Sequence, residues 1–240
     1  AAQASIPQIT GGNPNLDNEQ ADSWSVGGIL RPWFLPNFSL TVDYINIDIS
    51  NPIAELTSAQ INSACFDNPV FNTADPANGN QFCSLIRREA NGEVVSNPTN
   101  PGVTTGFVNG QSIKYEGIVA SALYATKLDA IGVPGTLQLR GDLNVTLFRV
   151  VDITGVGPQP THGTIGDEQF VGQLAANYLD KNWGFGSVIN YTGEGLFSRV
   201  GRTPDTREFD QLEDYVTVDF NLYFETNNNF RINFVVNNAF

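Results

Sequence analysis

Methionine is absent from this chain, and in 240 residues it has a single histidine, His162, and two cysteines, Cys65 and Cys83. Lys and Arg together number 12 against 25 Asp and Glu, a formal net charge of -13. With no basic cluster, nucleic-acid binding is excluded as an expectation. No run of 18 apolar residues exists, so no transmembrane helix is available. Residues 1–10 lack the basic start and apolar core of a secretion signal, so any such signal lies outside this chain. Neither cysteine sits in a CxxC, and with one histidine there are too few ligands for a zinc site; no metal or cofactor is expected. A Cys65–Cys83 disulfide fits an oxidising compartment, with two buried thiols as the alternative. The loop it would close is short, worth about 3 kcal/mol in the chain-entropy model.

Glycine (23) and aromatics (11%) are plentiful, and charged residues make up only 15%. That mixture suits strands joined by turns and serves helices poorly. A soluble acidic protein is the plain reading of the charge, but the residue pattern weighs against it. Over 137–147, Leu137, Leu139, Gly141, Leu143, Val145 and Leu147 fall on one face. Gln138, Arg140, Asp142, Asn144 and Thr146 fall on the other, a strict period of two. Val216, Val218, Phe220, Leu222 and Phe224 alternate with Thr217, Asp219, Asn221 and Tyr223. Weaker rows run through Trp24–Leu30, Ile118–Tyr124, Phe170–Tyr178, Trp183–Tyr191 and Phe230–Val236. After Leu40, Val42 and Tyr44 the apolar phase slips to Ile45, Ile47 and Ile49, which fits a bulge or an exit from hydrocarbon.

Eight strands are expected, at about 22–33, 38–50, 113–126, 136–148, 168–178, 183–193, 215–225 and 230–238. Each is long enough to cross a bilayer at a tilt, and several rows end in Trp, Tyr or Phe. Soluble sandwiches also alternate, but with strands about half this length. The connections decide further. Short ones at 34–37, 127–135, 179–182 and 226–229 alternate with long ones at 51–112, 149–167 and 194–214. Short turns on one side and long loops on the other mark an outer-membrane barrel. The fold expected is therefore all-β, an antiparallel transmembrane β-barrel, with 51–112 as a long extracellular loop. Strand parity puts both ends of the eight on the long-loop side. At least one strand is then expected before residue 22 and one after Phe240, so the eight form an open segment. The alternative is a sheet that closes on itself.

Four stretches resemble the C-terminal half of TonB-dependent outer-membrane receptors. Gly12-Asn13-Pro14-Asn15-Leu16, then Glu19, Ala21, Ser23 and Trp24, is similar to the family's GNPxLxPExAxSW motif, with Asn18 where Pro is usual. The strand Ser39 to Ile49 resembles the one that follows that motif. Phe82 to Arg88, paired with Cys65, resembles a cysteine loop of one proteobacterial branch. Val236-Asn237-Asn238-Ala239-Phe240 resembles the late VxNLF motif, with Ala239 for Leu. The resemblance spans nearly the whole chain. It implies a barrel of about 22 strands around an N-terminal plug domain. It also implies Gram-negative outer-membrane localisation and coupling to TonB through the plug, which is not in this chain.

The polar row Gln138, Arg140, Asp142 and Asn144 is the expected lumen face, able to meet a plug or a passing solute. The plainer reading is a lining that satisfies itself, with Arg140 and Asp142 paired. In the 51–112 loop, Thr57-Ser58-Ala59-Gln60 is a capping-box pattern that predicts a short helix leading to Cys65. Asn91-Gly92 predicts a hairpin turn. That loop offers Phe66, Phe71, Phe82, Arg87 and Arg88 as candidate substrate contacts, since aromatics stack on sugars or siderophore rings and arginines grip anions. Alternatively, the aromatics pack the loop on itself. Catalysis finds no support. A triad would need His162 held near a carboxylate such as Asp152 or Asp167, and a solvated loop histidine is the simpler reading.

The expected function is TonB-dependent active uptake of a nutrient, with an oligosaccharide favoured by the cysteine-loop resemblance. The alternatives are a ferric siderophore receptor and a structural or adhesive barrel. Expected partners are outer-membrane lipid, the receptor's own plug domain, TonB through that plug and a small solute.

Overall fold

A computed structural model describes residues 7–66, 80, 82–97, 99–155, 158–199, 208–226 and 230–240. Eight long strands form one sheet: β1 (Gln20–Leu30), β2 (Phe38–Ser50), β3 (Ser112–Lys127), β4 (Thr136–Asp152), β5 (Phe170–Leu179), β6 (Trp183–Thr192), β7 (Tyr215–Thr226) and β8 (Phe230–Val236). Each strand lies beside its neighbours in sequence, from β1 at one edge to β8 at the other. Both edge strands are exposed along their whole length, and among the described residues no ladder joins them. The chain is a partial, open segment of a β-barrel.

Register fixes the two faces from β4 to β8. Leu137 is opposite Tyr178, which is opposite Phe185, then Leu222, then Phe234. Leu139, Ala176, Ser187, Phe220 and Val236 form the next row, and Gly141, Leu174, Ile189 and Val218 the one after. Across these three rows the face is apolar apart from Ser187. Large side chains on it stay exposed, Leu143, Phe185 and Ile232 among them. An apolar face of this breadth, left open in a folded chain, calls for an apolar neighbour. Aromatics gather toward one end of it, where Tyr178 meets Trp183 at 4.7 Å between ring centroids and Phe185 meets Phe220 at 5.9 Å.

The weak row of β3 is settled by one contact. Ser121 Oγ donates to Asp142 Oδ1 at 2.8 Å, so Ser121, and by parity Val119 and Leu123, share the polar face. The phase slip in β2 lies within an unbroken strand. At the slip the Tyr44 hydroxyl donates to Glu116 Oε2 at 2.9 Å while its ring packs on Trp24 at 5.2 Å. The face that carried Leu40 and Val42 turns polar there without a break in the strand.

By contacts the chain divides into two compact units. One comprises Ser23–Ile47, Lys114–Val150 and Gln159–Phe240, the other Ala1–Asp22, Asp48–Ile113 and Val151–Pro158. In the second unit the strand Gln8–Gly11 runs parallel to Val103–Asn109, which pairs antiparallel with Ile53–Leu56. A helix, α1 (Ser58–Phe66), follows. Its start is the reciprocal cap foreseen in the sequence. Gln60 N–H donates to Thr57 Oγ1 at 3.3 Å, and Thr57 N–H donates to Gln60 Oε1 at 2.9 Å. The buried apolar core is here, formed by Leu56, Ile61, Ala64, Phe82, Ile86 and Val103 around the Cys65–Cys83 disulfide. The hairpin at Asn91-Gly92 has a three-residue loop. Glu89 N–H donates to Glu93 O, Gly92 N–H donates to Glu89 O, and Gly92 takes φ +86°, the left-handed position that glycine tolerates.

Candidate functional site

Polar side chains on the sheet form connected hydrogen bonds across strands. Arg140 donates to Asp142 from Nε at 2.6 Å and from a terminal nitrogen at 3.1 Å. Asp142 is opposite Gln173, Gln173 opposite Asn190, and Asn190 opposite Thr217. Gln173 Nε2 donates to Asn190 Oδ1 at 2.8 Å, and Asn190 Nδ2 lies 3.3 Å from both Thr217 Oγ1 and Asp219 Oδ2. Asp219 Oδ1 in turn accepts from the backbone of Asn238 at 2.8 Å. There Asn238 adopts φ +53°, and Ala239 N–H donates to Val218 O, so the Val236–Phe240 stretch bulges by one residue and stays tied to β7. Of the expected lumen residues, Gln138, Arg140, Asp142 and Asn144 lie on this one face. Ser121, Asn190, Thr217 and Asp219 are not singled out as lumen residues by the sequence. Their alternation was visible, but the register that aligns them was not.

Glycines leave room for this network. A Cβ on Gly186 would sit 2.5 Å from Asn177 Oδ1 and 2.6 Å from Asn221 Oδ1, so both amides close over it. The Tyr223 ring covers Gly184 and takes the Arg231 guanidinium at 4.1 Å from its centroid.

In the disulfide-bearing unit the candidate contacts part company. Phe82 is 6% exposed and belongs to the core, next to the disulfide. Phe66, at the end of α1, is 41% exposed, and the Arg88 guanidinium lies 5.2 Å from its ring centroid. Arg88 also donates to Gly92 O at 2.7 Å, and Arg87 is bonded to Asn100 Oδ1. Phe71 lies outside the described residues. His162 sits 3.3 Å from the Arg149 carbonyl through Nδ1 and against the Phe148 ring. The nearby Asp167 accepts from Thr161 at 2.6 Å and pairs with Arg149 at 3.1 Å.

An antiparallel meander with one open apolar face, one hydrogen-bonded polar face and alternating connection lengths defines the class of transmembrane β-barrels. The family model described as "TonB dependent receptor-like, beta-barrel" matches residues 2–239, and the chain belongs to that family. Its members are transport receptors rather than enzymes, and its homologues are outer-membrane proteins of Gram-negative bacteria. Similar solved structures include a ferric enterobactin receptor from Pseudomonas aeruginosa, at 12% identity and TM-score 0.59, over 97% of this chain and 28% of that one. The siderophore receptor PirA from Acinetobacter baumannii is similar at 10% identity and TM-score 0.58, over 96% of this chain and 29% of that one. The FrpB iron transporter from Neisseria meningitidis is similar at 14% identity and TM-score 0.53, over 98% and 27%. The chain thus spans little more than a quarter of the length of these relatives. No curated protein matches it in sequence.

Proposed function

We propose that this chain is part of the wall of an outer-membrane receptor that takes up a nutrient with energy delivered by TonB. In this reading a plug domain outside the chain contacts TonB and fills the lumen, and Gln138, Arg140, Asp142 and Asn144 line that lumen. The 51–112 loop is extracellular. The observation that carries the reading is the pair of opposed faces from β4 to β8, apolar toward lipid and hydrogen-bonded toward water. Unpaired edges at β1 and β8 fit with it, since backbone groups in lipid need partners that neighbouring strands would supply.

The ligand is proposed as an oligosaccharide. The exposed Phe66 ring beside Arg88 suits a sugar face and its polar rim. A ferric siderophore is the second reading, supported by the printed names of the similar solved structures. The same aromatic and guanidinium groups suit a siderophore's rings and anionic oxygens equally well.

Uptake by cells carrying the full-length receptor discriminates among these readings. Accumulation of labelled oligosaccharide that stops when the proton gradient is collapsed supports the first. Accumulation of ferric siderophore under the same control supports the second. A full-length protein with no plug and no gradient-dependent uptake would sink both and leave a structural or adhesive barrel.

A further inference from the structure

The two long connections that follow β4 and β6 brace each other. Leu196 N–H donates to Gly163 O and Ile165 N–H to Leu196 O, both at 2.9 Å. Gly195–Leu196 pairs antiparallel with Gln211–Leu212, and Phe197 N–H donates to Asp210 O. Between this frame and the strand ends lies a cavity of about 590 Å³. Its floor is the last row of the apolar face. Val145 is opposite Phe170, and Gly193 N–H donates to Phe170 O at 2.8 Å. Tyr191 lies on that face by its register with Gly172, and so does Asp214, one residue before the Tyr215 that faces Thr192.

The cavity is therefore on the apolar side of the wall, at the level where that face ends. Its lining changes character at that level. Phe170 and Tyr191 offer rings, while Gln169, Glu194, Arg199 and Gln211 offer hydrogen-bonding groups. Gln211 Nε2 donates to Glu194 Oε2 at 2.8 Å, which fixes the carboxylate. One guanidinium accompanies two carboxylates, Glu194 and Asp214, so a bare phosphate finds more repulsion than attraction. Hydroxyls both donate and accept, and they suit amide, carboxylate and guanidinium together. Rings beside such groups match the apolar face of a sugar.

We infer that this cavity holds the sugar headgroup of a membrane glycolipid, whose acyl chains lie along the Leu143 and Val216 row. The inference rests on the proposed meeting of the apolar face with lipid. A free sugar gives no reason for the site to open on that face, whereas a headgroup anchored by its own chains does.

The test uses the full-length receptor in nanodiscs of phosphatidylcholine, with or without a neutral diglucosyl diacylglycerol. Native mass spectrometry counts the bound glycolipid. Wild type and the distant Lys127→Gln should retain it, while Arg199→Gln and Gln211→Leu should each weaken retention roughly ten-fold. Equal retention by all four would overturn the inference, as would competition by a free maltooligosaccharide that matches the glycolipid. A nitroxide at Leu143→Cys separates the two levels. If lipid-soluble oxygen reaches it and water-soluble reagents do not, yet no glycolipid is held, this inference alone fails. If the label meets water, the lipid-facing wall fails with it.

Discussion

Arg140 grips both oxygens of Asp142, two residues along the same strand, at 2.6 and 3.1 Å. Positions i and i+2 of a strand share a face, so the pair is a local consequence of alternation. The neighbouring strand then adds Ser121 to the same carboxylate. A polar face that satisfies itself in this way presents paired charge; in the proposed receptor that face would meet whatever fills the lumen.

Replacing Arg140 by Leu should change stability little. The two side chains are 60% and 33% exposed, and ion pairs so placed contribute about 0–1 kcal/mol. Thermal unfolding of the full-length protein in detergent, with the Asp142→Asn and double variants completing a cycle, measures it. A coupling above about 3 kcal/mol would show that water is excluded from this face.

Leu143→Arg should be costly and Asn144→Leu mild. Leu143 lies on the apolar face opposite Gly172, while Asn144 is opposite Val171 on the other face. An arginine on a lipid-facing strand costs about 2–4 kcal/mol at mid-membrane and less toward the interface. Urea titration of refolding into lipid vesicles reads both, and a reversed order would put the register off by one residue.

Gly186→Val should destabilise by about 1–3 kcal/mol, because its Cβ meets the Asn177 and Asn221 amides. Gly141→Ala is the comparison, since its Cβ would touch only Leu174 at 3.9 Å. Matching refolding midpoints for the two variants would mean that the amides move aside freely.

Protein taken from the envelope should yield a Cys65–Cys83 peptide in non-reducing mass mapping. Changing both cysteines to serine should lower the stability of the loop by about 3 kcal/mol in the chain-entropy model. Limited proteolysis should then cut between α1 and the Asn91 hairpin far sooner, with the barrel strands spared. Unchanged cleavage would mean that the Leu56–Ile61–Phe82 core holds the loop without the bond.

Much of the fold was legible because strand alternation is a local property. The row through Leu137, Leu139 and Leu143 declares its face without any partner, and β2 and β6 fall within a residue of where the pattern puts them. Thr57 and Gln60 declared the start of α1 for the same reason, since a cap is completed within four residues. Phe82 shows where local reading stops. Its sequence neighbours make it look like a ligand contact, but it is buried by Leu56, Ile61 and Val103, which come from distant segments.

The sequence by itself determined the eight long strands, the two chemical faces of the clearest of them and the alternation of short and long connections, since each depends on residues a few positions apart. Only the tertiary structure decided which polar groups meet. Asp142, Gln173, Asn190 and Thr217 come from four strands and align only once the register is set. The same holds for the cavity between the loops, whose walls come from segments up to about fifty residues apart. Register is fixed by burying or exposing a whole face at once, a collective choice to which every strand contributes and which no single segment encodes.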